Sequence, residues 1–257
     1  MKVSRRGLLA ATGATAAGAT IGATLDSQPA DAATGIATLI HRVPTDEAVA
    51  FITIDDGYFT DAVCDAWMDV AANANSAKVT QFLTYYAASS GQYPPPTSGA
   101  GLDHIENLRK YQSGTADQQR VGCHGKEHLD YRTEGESDQQ ASYNVAANLL
   151  GDNDMFFWRP RLFRPPNGQY NHGTLVAAYA AGMPWVVRWT HWVNTASGAP
   201  VLTNEYGTPV LQPGSIVVIH HPSGPGQDGF TMNQLQVALN AISAANLEPA
   251  YLHDYLT

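Results

Sequence analysis

Charge is scarce in this chain. Asp, Glu, Lys and Arg make up 14% of the 257 residues, against about 25% in an average soluble protein. Only 14 Lys and Arg stand against 23 Asp and Glu, a net charge of -9. Nothing here supplies the basic clusters that follow a phosphate backbone, so a nucleic-acid partner is excluded. The body of the chain also lacks a run of about 18 strongly apolar residues, which excludes a membrane span. Cysteine is nearly absent: Cys64 and Cys123 cannot build a disulfide framework or a Cys-only zinc site. The two can pair outside the cell or stay as separate buried thiols. What remains is ordinary for a globular protein: 44% hydrophobic residues, 23 glycines, and length for one large or two small domains.

The N-terminus reads as an address. Lys2 and the pair Arg5-Arg6 precede a mild stretch rich in Ala, Gly and Thr, which closes at Ala30-Asp31-Ala32. A paired arginine before a weakly apolar segment predicts twin-arginine export over residues 1–32, with cleavage after Ala32. An ordinary secretory peptide is the plainer alternative. Both place the protein outside the cytoplasm.

Short β-branched or aromatic runs then alternate with helical patterns. Strands are predicted over Ala48–Ile54, Val79–Thr84, Arg120–Cys123, Arg161–Arg164, Trp185–Trp189, Ser215–His220 and Pro249–Leu252. Helices are predicted from Thr60 to about Ala74, over Leu102–Tyr111, from Ser137 to about Leu150, and over Gly173–Ala181 and Thr231–Ala245. This alternation predicts parallel strands with crossover helices, as a barrel or an open doubly wound sheet. There is no internal repeat and no dividing linker, so residues 33–257 read as a single domain. The irregular stretches Tyr85–Gly101 and Ser223–Gly229 each follow a strand, where βα folds build their sites.

Candidate chemistry gathers at the predicted strand ends. Asp55 and Asp56 are adjacent carboxylates before Gly57, able to split cation binding and proton transfer between them, or simply to form a turn. His124 and His128 are spaced i and i+4, so both can reach one ion; with a nearby carboxylate they make a two-His, one-carboxylate set. Arg164 precedes Pro165-Pro166-Asn167-Gly168, and His220-His221 close an apolar strand. Side chains alternate along a strand, so only one of those two histidines faces the site.

These motifs, TIDDG, HGKEH, RPPNG and VIH in that order, resemble the polysaccharide deacetylase family, also known as the NodB-homology domain or carbohydrate esterase family 4. The likeness runs from about Ala48 to Leu256. It implies a deformed, incomplete (β/α) barrel of about seven parallel strands. By that resemblance Asp55 is the general base and Asp56, His124 and His128 hold one divalent metal. Zinc is the implied metal, with cobalt or another first-row ion as alternatives. Arg164 orients Asp55, the backbone N–H of Asn167 holds the oxyanion, and His220 is the general acid. The implied activity is hydrolysis of acetyl groups from N-acetylated sugar polymers, chitin, chitooligosaccharide or peptidoglycan, by a secreted monomer.

Several positions depart from the pattern. Gly125 stands where the family has Ser or Thr, and Asn167 stands where Tyr is common. Tyr58 replaces a proline and can stack on a sugar. Residues 188–193 lack the aspartate that orients the catalytic histidine, so His220 would have to borrow Glu205 or Asp228. Trp189 and Trp192 are candidates for the wall around the acetyl methyl, one of them serving as ordinary core. Two other functions fit the same residues: hydrolysis of another C–N bond or an acetylxylan ester, and a catalytically weak glycan-binding wall protein.

Overall fold

The computed structural model describes residues 35–57, 78–84, 119–151, 160–195, 199–205, 210–221 and 230–256. The export segment, the helices expected over Thr60–Ala74 and Leu102–Tyr111, both irregular stretches, Tyr58, Cys64 and Asp228 lie outside them.

Among the described residues ten strands form one sheet: β1 (Thr38–Ile40), β2 (Val49–Gly57), β3 (Val79–Leu83), β4 (Gln119–Cys123), β5 (Leu162–Phe163), β6 (Trp185–Val187), β7 (His191–Asn194), β8 (Val201–Asn204), β9 (Ile216–His220) and β10 (Glu248–Ala250). Their order is β1-β6-β5-β4-β3-β2-β9-β7-β8, with β10 beside the first residues of β2. Every pairing is parallel except the β7–β8 hairpin. Three helices are described: α1 (Glu136–Gly151), α2 (His172–Ala180) and α3 (Phe230–Ala244).

The sheet curls into a half-barrel and has apolar partners on both faces, which is why its strands read as continuous apolar runs. Ile52 and Ile54 of β2 and Val217 and Ile219 of β9 point outward beneath Leu235, Ala238 and Ile242 of α3. On the other flank Cys123, Phe163 and Val186 pack against Tyr143 and Ala146 of α1 and Ala177 and Ala178 of α2. The concave face carries its own cluster, with Phe51, Phe82, Leu162, Val187, Ile216 and Leu252 filling the interior. Among the described residues the edges β1 and β8 do not pair. The gap is stitched by the segment after β1, where Val43 N–H donates to Gly214 O at 2.9 Å and Arg42 Nε to Pro213 O at 2.7 Å.

Three strands were not expected from the sequence. β1 is only three residues long, and β7 and β8 form a half-polar hairpin without clean alternation. β5 is shorter than expected because Pro165 and Pro166 have no N–H to continue a ladder. The last strand ends at Ala250, and Leu252 instead opens a 3₁₀ turn.

Candidate metal site

Strand β2 delivers both carboxylates, but not as a regular strand would. Its register with β3 shifts between Ile54 and Gly57, and Asp56 sits at φ 61. Asp is among the residues that tolerate this left-handed region best. A regular strand would send Asp55 and Asp56 to opposite faces; the bulge leaves both at the mouth of the half-barrel.

Asp55 is 3% exposed and accepts from Arg164 Nη1 at 2.7 Å. Arg164 is fully buried, a costly place for a cation unless every donor is used. It uses them widely: Nη1 also donates to Thr53 Oγ1 at 2.7 Å, Nε to Val187 O at 3.1 Å, and Nη2 to Arg188 O at 3.2 Å. Its guanidinium lies 4.2 Å from the Phe82 ring centroid and 5.6 Å from that of Trp189. Burial draws the Arg164 pKa down and the Asp55 carboxylate opposes that.

Asp56 Oδ1 faces two imidazoles, 3.5 Å from His124 Nε2 and 3.2 Å from His128 Nε2. One ligand atom from each of the three residues lies within 4.8 Å of the others. Oδ1 is buried and makes no hydrogen bond. His124 Nδ1 lies 2.8 Å from Arg164 O. A carbonyl only accepts, so that nitrogen carries the proton and Nε2 is turned toward Asp56. Burial would raise the Asp56 pKa, yet the neighbouring imidazoles of His124, His128 and His220 hold it well below the usual carboxylate range. Burial would lower His124, but Asp55 and Asp56 push it up. Burial, with His124 alongside, pulls His128 down. An orphaned carboxylate oxygen and two converging imidazole nitrogens fit a divalent first-row cation.

His220 closes β9 directly beside Asp55, its Cα partner across the β2–β9 ladder. Its backbone is clamped by α3: His220 N–H donates to Gln234 Oε1 at 3.2 Å, and His220 O accepts from Gln234 Nε2 at 3.0 Å and Thr231 Oγ1 at 3.1 Å. His221 turns away and is buried, with Nε2 3.1 Å from Gln81 Oε1. Strand alternation thus separates the two histidines as expected. Glu205 is not beside His220; it pairs with Arg188. Among the described residues no carboxylate pairs with the His220 ring.

Asn167, exposed and at φ 55, forms the tip of the turn after Arg164. The two tryptophans differ. Trp189 packs against the interior cluster, between the Arg164 and Arg188 guanidinia. Trp192 is half-buried, and its pairing with Val218 puts it on the same sheet face as His220.

Some partners were missed in the sequence. Thr53 lies two residues before Asp55, and alternation alone could have found it. The Arg164 carbonyl and the Gln234 clamp leave no such mark. Tyr131 also went unnoticed: its hydroxyl accepts from Glu127 N–H at 2.9 Å and donates to Glu127 O at 2.7 Å. That Tyr131 fills the space beside Gly125, which lies at φ +94.

A curled, parallel-rich α/β sheet that gathers a carboxylate and two imidazoles at the ends of its strands makes a place where a divalent cation can be held. The comparisons with known proteins narrow it. The polysaccharide deacetylase family model matches residues 42–186. The chain therefore belongs to the polysaccharide deacetylase family, with the NodB-homology fold of carbohydrate esterase family 4. It is 28% identical over 225 residues to an uncharacterised protein of Streptomyces coelicolor, covering 86% of this chain and 80% of that one. Among solved structures it resembles the chitin deacetylase of the fungal pathogen Colletotrichum lindemuthianum, at 16% identity and a TM-score of 0.64, over 86% of this chain and 92% of that one. It also resembles a CE4-family pseudoenzyme from Bacillus anthracis, at 15% identity and a TM-score of 0.60, over 85% of this chain and 69% of that one. Among the described residues no helix is long and apolar enough to cross a membrane.

Proposed function

We propose that residues 33–257 form one catalytic domain, exported by a twin-arginine signal cleaved after Ala32. In this reading it removes acetyl groups from N-acetylated sugar polymers. Chitin, chitooligosaccharides and peptidoglycan are the substrate candidates. The observation that carries the reading is the division of labour between neighbouring acids: Asp56 converges with His124 and His128, while Asp55 stands apart on Arg164.

Asp56, His124 and His128 would hold one divalent metal, zinc or another first-row ion. When bound, that ion supplies a Lewis acid and lowers the pKa of water. Asp55 is the general base: Arg164 fixes one carboxylate oxygen and leaves the other to take a proton from the attacking water. The backbone N–H of Asn167 donates to the oxyanion of the tetrahedral intermediate. His220, held in place by Gln234 and Thr231, gives a proton to the departing sugar nitrogen. Trp192 walls the acetyl group and Tyr58 stacks on the sugar, while Trp189 backs Arg164.

Acetate release from chitooligosaccharides and from peptidoglycan, with and without chelator, tests the reading. Turnover should require metal. Asp55→Asn should keep one metal per chain and lose about 10²–10⁴ in rate; loss of its metal would show the two aspartates to be exchanged. His128→Ala should lose both metal and turnover. That no carboxylate among the described residues pairs with the His220 ring favours one alternative, a weak glycan-binding protein. Glycan binding without acetate release, in protein carrying stoichiometric metal, would establish it.

A further inference from the structure

The two histidines of the candidate metal site are not anchored equally. His124 is held from the sheet, with its N–H on Leu83 O at 2.8 Å and its ring on Arg164 O. His128 projects from the turn that follows, with its Nε2 3.2 Å from Asp56 Oδ1 and its ring beside that of His124. Where that imidazole sits depends on how the intervening residues are held.

Glu127, directly before His128, carries that constraint. Its N–H and its C=O both bond to the Tyr131 hydroxyl, which returns from the 3₁₀ turn Tyr131–Thr133. A phenol can do this because it donates and accepts through one oxygen. Burial raises its pKa, so it stays a hydroxyl. The ring is fixed in turn: it meets Tyr143 of α1 edge-on at 5.1 Å, and Tyr143 packs on Phe163, the neighbour of Arg164, at 4.3 Å. Gly125 leaves the path open. A Cβ there would stand 2.9 Å from the Tyr131 hydroxyl oxygen and 3.0 Å from the ring.

We propose that Tyr131 is a positioning residue for the metal-ligating pair: its hydroxyl closes the turn between His124 and His128 and sets where the second imidazole points. The imidazole centroids lie 5.4 Å apart at 58°, the arrangement this closure maintains. The inference rests on the reading of Asp56, His124 and His128 as metal ligands.

The test compares full-length wild type, Tyr131→Phe, Tyr143→Phe and His128→Ala. Zinc affinity is read by competition with a chromophoric chelator, and ligand geometry by the visible spectrum of the cobalt(II) form. Tyr131→Phe keeps the ring but releases Glu127, and should bind zinc about tenfold more weakly, as loss of an orienting partner does, with altered cobalt bands. Tyr143→Phe loses a similarly buried hydroxyl contact, to Gln139 Oε1 at 3.1 Å. It should lower melting temperature while leaving affinity and spectrum as in wild type, which separates positioning from general stability. If Tyr131→Phe does not fold, Tyr131→Leu serves instead, since it removes the same hydroxyl and leaves an apolar side chain in the core; it should show the same weakening. Wild-type affinity and bands in Tyr131→Phe, with metal lost in His128→Ala, would overturn the role of Tyr131 alone. Equal zinc binding by wild type and His128→Ala would overturn the metal reading, and this inference with it.

Discussion

His220 and His221 are adjacent in sequence and live in different media. His220 faces the mouth of the site; His221 is sealed behind the sheet against Gln81. Burial, partly opposed by Asp56, pushes the His221 pKa down to about 3 from 6.5. An unfolded chain takes up this proton near pH 6.5 and the folded chain only near 3. The stabilisation is therefore complete above pH 6.5 and is lost as pH falls through that window, at up to about 1.4 kcal/mol per pH unit. Urea midpoints of metal-free protein should fall between pH 7 and pH 5, and the fall should shrink in His221→Gln. Equal slopes in both proteins would clear His221 of the effect. At this scale the sequence was most legible at the candidate site. Asp55, Asp56, His124, His128, Arg164 and His220 stand in recognisable runs, and the structure brings them to one end of the sheet. Tyr131 escaped notice because it looks like any aromatic after a turn. The Arg164 carbonyl escaped because main-chain acceptors have no letter.

Helix α2 shows what an element needs beyond its apolar face. Asn171 caps it, accepting from Thr174 N–H at 2.9 Å, while Thr174 Oγ1 accepts from Asn171 N–H at 3.1 Å. Asn171 Nδ2 also donates to Arg132 O at 3.2 Å, tying the helix start to the turn that carries Tyr131. Asn171→Ala should cost about 1 kcal/mol, lowering the melting temperature by about 2–4 °C for a chain of this size. Asn171→Asp keeps the cap but not the Arg132 contact, and should recover most of that loss in the same melting experiment. Elements with long apolar runs, β2 and β9 above all, were legible to within a few residues. β7 and β8 were not, because HWVN and VLTN show no strict alternation of apolar and polar residues, even with Ser197-Gly198 and Pro200 marking a turn between them.

For the whole molecule, alternation of strands and helices predicted parallel pairing but left barrel and open sheet unresolved. The deciding contacts are main-chain ones at the gap, where Gly214 at φ +83 lies against Val43. A Cβ on Gly214 would fall 2.0 Å from Val43 O. Gly182 offers a control: it has nearly the same φ, +84, and nothing within 4 Å of its missing Cβ. Gly214→Ala should destabilise by about 3 kcal/mol in denaturant titration and Gly182→Ala by about 1 kcal/mol, the difference being the collision rather than the strain. Equal losses would mean the stitch yields without cost. Arg164 works at this same scale, since its one planar group touches residues of β2 and the end of β6 while hanging from β5. A lysine there could keep a positive charge near Asp55 but would let go of Val187 and Arg188. Descendants that alter this arginine would inherit a slack rim together with an unheld Asp55 carboxylate, so the entrance and the seat of that acid can only drift as one trait.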